Sequence, residues 1–360
     1  TVFDDSGAQR ALPTVPRFEI RLVQDAAQLR EQMSAQVLDP TRWPVFDVRA
    51  CRMDSGIRVG MSIDNILLDA LSVMILRAEL DALYAAPAAA LPPVDLTFRD
   101  YLSAMRPSEA QLDDARRYWE ARLPTLPRAP RLPLAADPDE VDKPVFVRRQ
   151  EALDEDEWGR LQAFARGHGL TPSVALASAY AETLAAWSGR PELTLTLTLF
   201  DRRDIHPHVN RVLGDFTSLL LAAHRGGEDR LSAARALQTD VAEALDHSEV
   251  SAAWVLREVA RRASGTALSM PVVFTSMLGV AGPEPMAPPF GTESWGLSQT
   301  PQVWIDCQVG EDDGRLALRW DAVEQLFAPE VLDAMFAMFV RLVRARADGD
   351  WSAPLEAVRS

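Results

Sequence analysis

Cysteine is nearly absent. Cys51 and Cys307 are the two among 360 residues, too few for a disulfide framework and without the spacing of a zinc site. Long apolar runs are missing as well: none reaches the roughly 18 residues of a membrane span. The opening TVFDDSGAQRALPTVP lacks the charged start and apolar centre of a secretory signal. It also lacks an initiator Met, so the sequence reads as a piece of a longer chain. Positive charge is in deficit: the formal net charge of −15 argues against nucleic acid and against an anionic membrane surface as partners. A reduced, cytoplasmic protein is the expectation. HExxH, GxSxG and Walker-type loops do not occur, which removes the usual supports of metalloprotease, hydrolase and nucleotide-binding readings. None of the five histidines stands in a metal-ligand pattern; His206 and His208 flank Pro207 and read as loop residues, so no metal is expected.

What is present is a mixed α/β pattern with a hydrophobic share of 48%, enough for a large core in two lobes. Residues 17–24 alternate like a strand, 25–39 are amphipathic, and two strands meet at Asp54-Ser55-Gly56. Helical spacing runs to about Tyr84, and two more helices follow, LTFRDYLSAM and SEAQLDDARRYWEARL. The Pro- and Asp-rich stretch Pro124–Pro144 disfavours helix and sets an expected boundary between lobes 1–137 and 138–360. Beyond it, Thr171, Pro172 and Gly189 mark the start and stop of a helix. ELTLTLTLF alternates with period two. Helices are expected over RLSAARALQTDVAEALDH and SAAWVLREVARRA, a hairpin turning at Asp312-Asp313-Gly314, and a closing helix.

SIDNILLDALS, residues 62–72, places Asp64 and Asp69 in an apolar segment between strand and helix, with Ser72 after them. Asp64 as a helix cap and Asp69 on a solvated face is the plain alternative to a functional role. In PQVWIDCQV, alternation puts Gln302, Trp304, Asp306 and Gln308 on one face and Val303, Ile305, Cys307 and Val309 on the other. The polar face suits a lined cavity, where desolvation raises the Asp306 carboxyl towards neutrality; an ordinary outward strand is the alternative. Cys307 points into the core and is no nucleophile. Thr275, in PVVFTS, is a hydroxyl in an apolar strand and needs a partner: backbone, or a group beside Asp306. Asp215, Thr217 and Ser218 follow Gly214 in GDFTS and are cavity-lining candidates or a turn.

Taken together these stretches resemble the heterocyclization (Cy) domains of non-ribosomal peptide synthetases. Asp64-x-x-x-x-Asp69-x-x-Ser72 looks like that family's DxxxxDxxS signature, and LTFRDYL, YWEARLPTLPRAPRLPL, TPSVALASAYAETLAAWS, LTLFDR, GDFTS, PVVFTS and SQTPQVWID follow in the family's order. The sister condensation domains carry HHxxxDG, where this chain has Asp64, Asn65 and Asp69. Thr196 and Asp201 replace asparagines of the family's LNLTLFNR. The leading Q-x-A-Y-x-x-G-R segment is not in the sequence, which implies a first lobe truncated at its N-terminus and an arginine partner of Asp69 outside the chain.

The resemblance implies a chloramphenicol-acetyltransferase-like, two-lobed, V-shaped pseudo-dimer with a central tunnel. It also implies condensation of a carrier-bound Cys, Ser or Thr with an upstream acyl or peptidyl thioester, then cyclodehydration to a thiazoline or oxazoline, as in siderophore assembly. Asp306 and Thr275 are the catalytic residues it points to; Asp64, Asp69 and Ser72 are read as architectural. No cofactor is expected on the domain itself, since substrates arrive on phosphopantetheine arms. The implied partners are upstream donor and downstream acceptor peptidyl or aryl carrier proteins and an adjacent adenylation domain. A condensation-only catalyst, a coenzyme A-dependent acyltransferase and a non-catalytic carrier-docking domain on the same fold are the alternatives.

Overall fold

The computed structural model describes residues 1–262, 270–280, 282–283 and 285–351. The chain forms two compact units, and it returns to the first one twice: Thr1–Met105, Phe200–Thr217 and Ala281–Gly296 make unit one, and Arg106–Leu199, Ser218–Val280 and Leu297–Ser360 make unit two.

Unit one opens with a two-stranded ribbon, β1 (Val2–Phe3) and β2 (Gln9–Arg10). A three-stranded sheet follows in the order β3 (Arg21–Leu22), β4 (Phe46–Met53) and β5 (Gly56–Ile63). Helix α1 (Ala26–Ser34), capped by Asp25, brings Leu29 and Met33 against Cys51 of β4. Gly60 leaves room for this packing: a Cβ there would stand 2.6 Å from Met33 Sδ, so the methionine would have to shift. Helix α2 spans Ala70–Ala85 and α3 spans Phe98–Ala104, the latter closed by a capping box between Thr97 and Asp100.

Unit two carries, apart from the strand-end residues Phe200 and Thr217, α4 (Glu109–Arg122), β6 (Phe146–Leu153), α5 (Glu155–Gly167), α6 (Pro172–Ser188), β7 (Leu193–Phe200), β8 (Thr217–His224), α7 (Arg230–Leu245), α8 (Ala252–Arg262), β9 (Val272–Ser276), β10 (Ile305–Asp312), β11 (Arg315–Val323) and α9 (Val331–Ala347). Ala263, expected at the end of α8, lies outside the described residues. The sheet order is β6-β11-β10-β9-β7-β8. Strand β9 runs parallel to both β7 and β10, while β10, β11 and β6 are antiparallel. The local signals act as expected: Thr171 caps α6, Pro172 is its first residue, and Gly189 ends it in the left-handed region at φ 62°. Asp313 and Gly314 turn the β10–β11 hairpin with positive φ at both positions, the geometry that matches strand twist.

One sheet face is apolar. Leu195, Leu197, Phe274, Ile305, Cys307, Val309, Leu318 and Trp320 join Tyr180 of α6 and Phe339 of α9 in the main core. The expected boundary near residue 138 falls inside unit two. Trp119 and Leu123 belong to that core, and the Pro-rich stretch is sewn to it: Leu134 bridges to Phe327, and Thr194 donates to the carbonyl of Arg128. Prolines break helix there without freeing the chain. Among the described residues no helix is long and apolar enough to cross a membrane.

Candidate active site

The face of unit two's sheet opposite the core is polar. Strand register sets two rows across it. Thr196, Val273, Asp306, Asp321 and Arg148 are cross-strand neighbours, and so are Thr198, Thr275, Gln308 and Arg319. Side chains on one face recur every second residue, so Asp306 and Gln308 of β10 meet Thr275 of β9.

Asp306 is 7% exposed. Thr275 Oγ1 lies 3.0 Å from Asp306 Oδ1 and 3.1 Å from Thr198 Oγ1. Gln308 Nε2 donates to Asp306 Oδ2 at 2.7 Å and to Asp321 Oδ2 at 3.1 Å. Asp321 is fully buried and held in a fork by Arg148 at 2.7 and 2.6 Å; it also accepts from the Ser298 N–H at 2.7 Å. Arg148 donates as well to Gln308 Oε1 at 3.1 Å. Burial pushes the Asp306 carboxyl up to about 6, with the Asp321 charge adding to the rise and the bonds from Gln308 and Thr275 opposing it. A carboxyl in that range can give and take a proton near neutrality. Its neighbour Cys307 is in the core, where burial pushes its thiol up, so it supplies no thiolate.

The other candidates are spread over both units. Gln302 stands in a turn with φ 66°, outside any strand, and is exposed. Trp304 precedes β10 and lines a cavity of about 300 Å³ with Arg128, Leu132, Leu134 and Arg190. The alternation expected from Gln302 to Gln308 therefore begins only at Ile305. Ser218 is half-buried at the start of β8. Asp215 accepts from the Thr217 N–H at 3.0 Å, and burial raises its carboxyl; Thr217 is exposed.

The motif acids of unit one change places with the simple expectation. Asp69 is the cap of α2, accepting from the Ser72 N–H at 2.8 Å, while Asp64 bonds the Ile66 N–H at 3.0 Å in the turn before the helix. Asp69 has its arginine within this chain, which corrects the expectation of an outside partner. Arg202 Nη2 reaches Asp69 Oδ1 at 2.8 Å and Ser72 Oγ at 2.8 Å, and Nε reaches Asp69 Oδ2 at 3.2 Å. Its Nη1 donates to the carbonyls of Val209 and Val212, and its guanidinium lies 3.8 Å above the Phe216 ring. The Ser72 hydroxyl donates to the Gly214 carbonyl and accepts from its N–H. Asp69, Ser72, Arg202 and Gly214 thus form one hydrogen-bonded knot.

A family model described as "Condensation domain" matches residues 19–350. This chain belongs to the condensation-domain family. Among its relatives, phenyloxazoline synthase MbtB of Mycolicibacterium paratuberculosis is 39% identical over 91% of the chain, and pyochelin synthetase PchF of Pseudomonas aeruginosa is 36% identical over 99%. The chain spans 28% and 21% of those two relatives. The EpoB cyclization-docking bidomain of Sorangium cellulosum has a similar structure: TM-score 0.83, 33% identity, 95% of this chain and 73% of that one. The domain thus has the mixed α/β condensation-domain fold, and it is similar to the family's heterocyclization members, as the DxxxxDxxS motif implied.

Sequence reasoning missed Arg202, Thr198, Arg148, Asp321 and Ser298. Arg202 stood in the quoted LTLFDR, a stretch that carries no catalytic logic by itself. Thr198 stood in the alternating threonines. Arg148 and Asp321 had one faint signal each, a charge in the middle of a strand. Of the two departures from the family motif, Asp201 takes a salt bridge from Arg203 at 3.2 Å, and the buried Thr196 hydroxyl has no hydrogen-bond partner among the described residues. His206 and His208 serve their loop: the Nδ1 atoms accept from the N–H groups of His208 and Asp95. Among the described residues no group of three or more His, Cys, Asp or Glu is arranged to hold a metal.

Proposed function

We propose that this domain joins a carrier-bound Cys, Ser or Thr to an upstream acyl or peptidyl thioester and then closes the product to a thiazoline or oxazoline. The substrates ride on phosphopantetheine arms of a donor and an acceptor carrier domain, with an adenylation domain loading the acceptor. The amine attacks the thioester carbonyl and expels the donor thiol. The side-chain thiol or hydroxyl attacks the new amide carbonyl. The resulting carbinolamine loses water. Amide formation depends mainly on holding the two thioesters together, which is worth several kcal/mol by itself. Water loss expels hydroxide, a poor leaving group, and needs an acid and then a base.

The observation that carries the reading is the pairing of Thr275 with Asp306, a buried carboxyl raised to about 6. Asp306 supplies the proton for the departing hydroxyl and takes back the ring N–H proton. Thr275, the more exposed of the two, passes hydrogen between Asp306 and the substrate. General acid–base help of this kind is worth about 10²–10⁴-fold.

The test is intact mass measurement of a cysteine-loaded acceptor carrier after incubation with a donor acyl-carrier and the full synthetase chain. An adduct one water lighter than the linear amide supports the reading. The linear amide alone means a condensation-only catalyst, and no amide means a docking domain. Asp306→Ala is expected to keep amide formation and release the uncyclized product; equal loss of both steps overturns the role given to Asp306.

A further inference from the structure

The hydrogen-bond directions around Asp306 restrict where its proton can sit. Gln308 Oε1 accepts from Arg148 Nη2, and both Nε2 hydrogens are spent on Asp306 Oδ2 and Asp321 Oδ2. Arginine has no acceptor. Turning the amide round would set its NH2 against a guanidinium and its oxygen against two carboxylates. Oδ2 of Asp306 therefore always faces a donor, and a proton on Asp306 must sit on Oδ1, 3.0 Å from Thr275 Oγ1.

A hydroxyl has one hydrogen to give. When Asp306 is ionised, Thr275 donates to Oδ1. When Asp306 is protonated, Oδ1 donates to Thr275, whose own hydrogen then needs another acceptor. Thr198 Oγ1 is 3.1 Å away. Its place is set by backbone pairing, since Thr198 on β7 is the register partner of Thr275 on the parallel β9, and Thr275 is that of Gln308 on β10.

We propose that Thr198 is a positioning residue for ring closure, accepting a hydrogen bond from Thr275 while Asp306 carries its proton and donating one to Thr275 while Asp306 is ionised. The inference rests on the cyclodehydration reading above and deepens it. In the water-loss step, the Thr275 hydrogen turns from Thr198 to the hydroxyl leaving the carbinolamine carbon and passes to it as the Oδ1 proton passes to Thr275. The C–O bond breaks, water departs, and the nitrogen lone pair forms the C=N bond. The N–H proton then returns through Thr275 to Asp306, and the cycle closes without net gain of protons. The charged and titratable groups that face Asp306 are Asp321 of β11 and Arg148 of β6, with Tyr180 of α6 and Cys307 on the core side; Thr198 adds the neutral hydroxyl that makes both protonation states satisfiable.

The experiment compares Thr198→Val and Thr198→Ser in the full chain. Valine keeps the branched shape and strand preference of threonine. Ring closure is timed from a preformed linear amide on the carrier, amide formation is timed separately, and the Asp306 carboxyl is titrated by its 13C signal, assigned by its loss in Asp306→Asn. Without the Thr198 hydroxyl the Thr275 hydrogen loses its acceptor in the protonated form, whereas in the ionised form Thr275 keeps Asp306 Oδ1 as acceptor and loses only a donor, so the protonated form is penalised more. Thr198→Val is therefore expected to lower the Asp306 titration midpoint and slow ring closure about tenfold, with amide formation unchanged; Thr198→Ser restores both. Ring closure at the wild-type rate with an unmoved midpoint overturns the proposal. So does equal slowing of both steps with an unmoved midpoint, which marks a merely structural residue. If the wild-type chain forms no ring, the cyclodehydration reading fails by itself, and the carbon titration alone decides the coupling of Thr198 to Asp306.

Discussion

Arg202 and Asp69 form an ion pair that is closed to solvent on both sides, with side-chain exposures of 3% and 0%. Each hydrogen-bonding group of the guanidinium has a partner among Asp69, Ser72, Val209 and Val212. Removing one member of such a pair strands the other, at a cost of about 3–5 kcal/mol. Arg202→Ala and Asp69→Ala are each expected to lower the urea midpoint strongly, and the double variant to lose much less than the sum. Additive losses would show that the pair is uncoupled and the motif acid has another role.

Gly214→Ala is expected to destabilise unit one by about 1–3 kcal/mol. The added Cβ would meet the Phe98 ring at 2.5 Å, and that ring is backed by Phe216 at 4.9 Å between centroids. Gly214 also holds two of the three bonds of the Ser72 hydroxyl, the third coming from Arg202, so a shift of its backbone disturbs the knot. Thermal unfolding of the variant measures the cost; an unchanged midpoint would mean the ring moves aside freely.

The raised Asp306 carboxyl links stability to pH. Its folded pKa, about 6, lies above the ordinary value of 3.8, so the folded state holds the proton more tightly than the unfolded one. Its contribution is fully present below pH 3.8 and is lost as pH rises through about 6. Asn mimics the protonated carboxyl, giving its NH2 to Thr275 and its oxygen to Gln308. Asp306→Asn is therefore expected to be more stable than the wild type by roughly 1–3 kcal/mol at pH 8, with the gap closing at pH 4. A gap of constant size across that range would assign the effect to packing.

In unit two, Arg346 of α9 is buried against Glu182 of α6 at 2.6 Å and Ser178 at 2.9 Å, and Arg230 approaches Glu182 from α7 at 3.2 Å. Burial pushes the Glu182 carboxyl up against the pull of both arginines. Arg346→Met is expected to cost about 3 kcal/mol, and adding Glu182→Gln to recover part of it. Chemical denaturation of the four proteins gives the coupling; no recovery would mean that Arg346 acts by packing on Trp351, which its guanidinium covers at 4.5 Å.

The sequence by itself determined the features whose causes lie within a few residues of one another. Thr171, Pro172 and Gly189 bound α6, and Asp313-Gly314 sets the β10–β11 turn. Period two separates Asp306 and Gln308 from Cys307 as soon as the strand begins. The ordered motifs pointed to the family, because each is a contiguous string. The alternation failed only where it was extended past the strand, at Gln302 and Trp304, since a turn with positive φ resets the side-chain directions. What the tertiary structure decided is which distant groups neutralise one another. Arg202 meets Asp69 across 133 residues of chain, and Arg148 meets Asp321 across 173. No propensity or period encodes those distances. They follow from the chain re-entering unit one at Phe200–Thr217, and from β6 pairing with β11 rather than with a nearer strand. A buried charge demands a partner, and the sequence states that demand; where the partner comes from is settled by topology.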